Sequence, residues 1–135
     1  MTPSWPATPL LPVAWGEVFD KLTILDIKLM HLREPAQQQR LRHEQSSIEA
    51  VIGDRGRFPP ELEALVAQLR ALNHQLWNIE EGKRACERAQ CFDQNFIQLA
   101  RDVYLKNDQR AVIKRRINDL LGSGIREEKS HRTVS

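Results

Sequence analysis

Two cysteines in a chain of 135 residues are too few for a disulfide framework. Four residues lie between Cys86 and Cys91, where a metal-ligand pair usually has two. Both read as reduced thiols of a cytoplasmic protein. A zinc site would need two further ligands from His31, His43, His74 or His131, no two of which stand at ligand spacing, so no metal or cofactor is expected. Glycine is scarce at six residues and aromatics make up 6%, which with few β-branched runs favours helix over sheet. The longest apolar run, Leu10 to Trp15, is too short to span a membrane and is broken by Pro12. No basic stretch precedes it, so a signal peptide is not expected. A net charge of +2, with acids and bases interleaved, gives little general attraction for nucleic acid or an anionic membrane.

What is present is an ordinary soluble composition, 41% hydrophobic and 28% charged, in a length that suits one domain. Prolines 3, 6, 9 and 12 make residues 1–13 an extended arm. Trp15, Val18, Leu22, Leu25, Leu29 and Leu32 alternate by three and four, predicting a first helix over 15–33. Pro35 breaks it and starts a second, peripheral helix over 36–52 with a thin line of Leu41, Ile48, Val51 and Ile52. Gly53, Gly56, Pro59 and Pro60 mark a loop. Leu62, Leu65, Leu69, Leu72, Leu76 and Ile79 form the most regular heptad stripe, on a third helix reaching about Ala89. Asp93 suits the N-cap of a fourth helix, with Phe92 stapled onto Ile97. Phe96, Leu99, Val103, Ile113, Ile117 and Leu120 carry that helix to Gly122.

The expected fold is therefore all-α: an antiparallel bundle of four helices over residues 14–124, a long hairpin of helices three and four packed with two shorter ones. Residues 125–135 form a polar tail. The short pair cannot cover a hairpin about 45 Å long. The uncovered apolar ends point to a homo-oligomer, with a dimer favoured.

Helix-wheel counting puts Asn73, Glu80 and Arg84 on the core side of helix three, with Trp77 at its edge. Asn107, Arg110, Lys114 and Asn118 face inward on helix four. Folding the hairpin about Cys91 gathers Asn73, Trp77, Glu80, Tyr104, Asn107 and Arg110 into one layer, with Glu80 pairing Arg110. Buried polar groups cost several kcal/mol unless paired, so a closed network that fixes register is the weightier reading. A ligand pocket is the other, because pockets in bundles lie between helices. On helix one, Glu17, Asp20, Lys21, Ile24 and Lys28 form a second face. It reads evenly as a solvated surface with a Glu17 to Lys21 pair and as a binding surface. Asp26 falls among Trp15, Phe19 and Leu22 and needs a cation, Arg110 or Lys114.

The string Pro12-Val13-Ala14-Trp15-Gly16-Glu17-Val18-Phe19-Asp20-Lys21-Leu22-Thr23-Ile24-Leu25-Asp26-Ile27-Lys28 resembles the opening of a bacterial family classed as a domain of unknown function. The likeness runs through Asn73, Leu76-Trp77, Ile79-Glu80, Phe92-Asp93, Leu99-Ala100-Arg101, Tyr104, Asn107-Asp108, Arg110-Ala111, Ile117-Asn118, Leu120-Leu121-Gly122-Ser123 and Glu127-Glu128-Lys129-Ser130. The resemblance implies a shared fold and a shared site, and brings no activity. Ala14 departs from the family's serine at the N-cap. His131 stands in place of a tyrosine, which puts a docking role for the tail in doubt.

The sequence offers no nucleophile elbow, phosphate loop or metal-binding His pair. The leading functional reading is a non-catalytic, self-associating module that binds a partner protein or small polar ligand through the helix-one face and the polar layer. Candidate residues are Glu17, Asp20, Lys21, Lys28, Asn73, Trp77, Glu80, Tyr104, Asn107, Arg110 and Lys114. The alternative is a metal-dependent all-α hydrolase of phosphorylated or nucleotide substrates, using Glu17 and Asp20 with Glu80, Glu81 and Asp108 to hold magnesium. A chorismate-mutase-like bundle would need more inward cations than Arg84, Arg110 and Lys114.

Overall fold

The computed structural model describes residues 2–124, Glu128 and His131. Among them are four α-helices and one 3₁₀ turn, with no strand. Helix α1 (Trp15–His31) follows an arm, residues 2–13, that carries no helix and exposes Trp5, Leu10, Leu11 and Val13. Helix α2 (Pro35–Ile52) starts on Pro35, whose fixed φ suits a first turn, and stops at Gly53 with φ +68°. Only Ile52 of α2 is buried. Gln38 holds α2 against α1 by donating to the carbonyls of Leu29 and Leu32 at 2.9 and 2.5 Å. A 3₁₀ turn at Arg55–Arg57 then brings Phe58 inward, its ring 5.4 Å from Trp15 and 6.2 Å from Phe19.

Helix α3 (Glu61–Ala89) and helix α4 (Gln94–Leu121) form the hairpin. The turn between them needs one left-handed residue, Gln90 at φ 52°. Asp93 caps α4 by accepting from the amides of Asn95 and Phe96 at 3.0 and 3.4 Å. The Phe92 ring meets Phe96 edge-on at 5.2 Å, and Ile97, its expected staple partner, is exposed. Gly122 ends α4 with φ +62°. Near the turn the two helices close tightly: a Cβ on Gly82 would lie 3.1 Å from Leu99 Cδ1.

The core joins Phe19 and Leu22 of α1, Ile52 of α2, Leu62, Val66 and Leu69 of α3, and Ile117 of α4. Val66 takes a core place that the heptad stripe gave to Leu65, which is only half-buried. Helix α1 packs against α2, α3 and α4 alike. At 29 and 28 residues α3 and α4 outrun α1 with 17, by roughly 16 to 18 Å at 1.5 Å per residue. Phe92, Ile97, Tyr104 and Leu105 of that hairpin are exposed. The expected polar tail, residues 125–135, lies outside the described residues apart from Glu128 and His131, both exposed.

Candidate functional site

Helix α1 lacks a side-chain N-cap at Ala14, and the end of α4 with the residue past its cap supplies what is missing. The Trp15 amide donates to Ser123 Oγ at 3.0 Å and the Gly16 amide to Asn118 Oδ1 at 2.7 Å. Two of the otherwise unpaired first-turn donors are thereby satisfied from a neighbouring helix. The approach is close enough to require glycine: a Cβ on Gly16 would stand 2.5 Å from the Lys114 carbonyl oxygen.

The next residue of α1, Glu17, accepts from Lys114 Nζ at 2.7 Å. Its partner is thus on α4 and not Lys21, which is exposed. The next turn brings Asp20, 2% exposed although the sequence placed it on an outer face. Arg110 grips both its oxygens, Nε to Oδ1 at 2.8 Å and Nη2 to Oδ2. Asn73 Nδ2 donates to Asp20 Oδ1 and to Thr23 Oγ1, each at 2.9 Å, and Thr23 Oγ1 donates to the Asp20 carbonyl at 2.8 Å. Helices α1, α3 and α4 are thus locked together by one carboxylate. Among the described residues no buried side-chain nitrogen or oxygen lacks a partner.

Two expected pairings are corrected by this arrangement. Asp26 does not meet Arg110 or Lys114; it is half-buried and bound by Gln45 of α2 at 2.8 Å and Arg70 of α3 at 3.1 Å. The two aspartates are six positions apart, so they lie about 120° apart around α1, and the one that faces α4 is Asp20. Glu80 does not pair with Arg110 either. Its ion pairs run along its own helix, to Lys83 at 3.6 Å and Arg84 at 3.4 Å, and its side chain is half exposed.

Beside the Asp20 cluster an open cavity of about 300 Å³ lies between α1, α3 and α4. Asn73, Trp77, Glu80, Asn107 and Arg110 all line it, with Ile24, Ile27, Leu76 and Val103 as apolar walls. Five of the six residues expected in one layer therefore share it. Tyr104 does not: it is 62% exposed, and Val103 fills its place. Arg110 Nη1 donates to Asn107 Oδ1 at 3.4 Å, and the Trp77 ring stacks on His31 at 4.7 Å. Lys28 is half-buried at the end of α1 and does not line the cavity. Thr23, Ile27 and Ser123 were missed in sequence. A threonine on the inner side of a helix next to Asp20, and a serine just past the glycine that ends α4, were the available signals.

No three His, Cys, Asp or Glu side chains among the described residues cluster so as to hold a metal ion. Both cysteines are free thiols. The Asp93 carboxylate, hydrogen-bonded to the Cys91 thiol and negatively charged, holds that thiol above its usual pKa, which suppresses the reactive thiolate. No helix is long and apolar enough to cross a membrane among the described residues. No curated protein and no solved structure matches the chain. The model of a family of unknown function, DUF6165, matches residues 11–135, a span that takes in the α1 opening, the Asp20 cluster and the α4 cap, and the chain belongs to that family.

Proposed function

We propose that this protein is a non-catalytic helical module that works by self-association. The observation that carries the reading is the hairpin of α3 and α4, which runs past α1 and exposes Phe92, Ile97, Tyr104 and Leu105. Large apolar side chains grouped in this way on a small protein mark a contact surface. The polar layer supports it from the other direction. Glu17 and Asp20, the acids a metal-dependent hydrolase would need, are already bound by Lys114 and Arg110, and those cations lower the demand for a metal. Light scattering across a concentration series is expected to give a mass approaching twice the 15.6 kDa of one chain. A mass that stays at one chain throughout would overturn the reading.

The cavity favours a second role, binding a small molecule with an apolar body and a few hydrogen-bonding groups. A volume of about 300 Å³ sits at the lower end of ligand sites. Binders found in a fragment screen are expected to shift the Trp77 indole resonance and to lose affinity in Ile24→Trp, which fills the space. Fragments that shift only surface resonances would remove this role.

A further inference from the structure

The outer face of α4 carries a stripe that is complementary to itself about its midpoint. At about 100° per residue, Ile97, Arg101, Tyr104, Leu105, Asp108 and Val112 fall within one arc about 100° wide, opposite the core-facing Ile117. Ile97, Arg101, Tyr104 and Leu105 are exposed, and Asp108 and Val112 are half-buried. Each residue has a counterpart across a midpoint between 104 and 105: Ile97 with Val112, Arg101 with Asp108, Tyr104 with Leu105. We infer that two copies of the chain pair through this stripe, α4 against α4 in antiparallel orientation about a two-fold axis.

A two-fold interface demands this self-complementarity, because residue i must meet j wherever j meets i. Placing the axis at the midpoint sets Arg101 against Asp108 of the partner twice over, with an apolar pair between them and another at each end. Moving the register by one turn in either direction destroys the charge match, so the ion pairs select one alignment. A seam of about 16 residues on one helix buries less than a standard interface, so the dimer belongs to the weak, concentration-dependent class.

The inference rests on the self-association proposed above and adds its location, and charge exchange separates the two claims. Sedimentation equilibrium on Arg101→Asp and on Asp108→Arg should show dimerisation weakened at least about tenfold, since each places like charges together twice. The double variant Arg101→Asp with Asp108→Arg should recover it. Circular dichroism of all three is expected to match the wild type, because Arg101 is exposed and Asp108 is only half-buried. A wild-type dimer that neither single variant weakens, or that the double fails to restore, overturns the seam and leaves self-association standing. A wild type that never dimerises overturns both.

Discussion

Arg110→Ala is expected to destabilise the fold by about 4–5 kcal/mol, and Asp20→Ala by nearer 3 kcal/mol, within the range for breaking a buried ion pair. The asymmetry follows from exposure. The Asp20 side chain is 3% exposed and the Arg110 side chain 26%. Deleting the arginine strands a carboxylate beneath α4, with Asn73 as its remaining side-chain donor. Deleting the aspartate leaves a guanidinium that can turn to water and still reach Asn107. Urea unfolding with an unchanged m-value would measure both losses. Equal losses near 1 kcal/mol would mean that the pair behaves like a surface salt bridge.

Gly16→Ala is expected to cost about 3–4 kcal/mol, although alanine is the better helix former. The added methyl would sit 2.5 Å from the Lys114 carbonyl oxygen and 2.9 Å from Asn118 Oδ1. Relief means moving α1 away from α4, an overpacking strain of about 1–3 kcal/mol. The same shift weakens the Gly16 amide bond to Asn118 and the Trp15 amide bond to Ser123, each worth about 1 kcal/mol. Thermal unfolding should show the loss clearly. A Gly16→Ala variant as stable as the wild type would mean that the close approach of the two helices is not required.

These two sites also mark where the sequence was legible. The three- and four-residue spacing of Leu22, Leu69 and Ile117 set out the helices, and Pro35, Asp93 and Gly122 set their ends, because local backbone preference decides such positions. The hairpin count placed Asn73 opposite Arg110, and both do converge on Asp20 Oδ1. Which α1 carboxylate they would meet was not legible. That depends on the angle at which α1 settles across the hairpin, and α1 touches three helices, so no side of it is simply outer. The wheel accordingly puts Asp20 on a non-core face, evenly solvated or binding, and makes Asp26 the inward acid. The inward position of Glu80 on α3 predicts a buried side chain. It lies instead at the cavity, where α1 leaves the hairpin open and Lys83 and Arg84 can reach it.

Asp20, Thr23, Asn73 and Arg110 thus form a lock that sets α1, α3 and α4 in register, and the association proposed above falls to the exposed side of the hairpin. The double-mutant cycle between Asp20 and Arg110 tests this most directly. Replacing both, as Asp20→Leu with Arg110→Met, should cost much less than the sum of the single changes, with a coupling of about 2–3 kcal/mol, because no uncompensated charge is left in the core. Additive losses with no coupling would contradict the lock and require a different set of contacts to hold the three helices together.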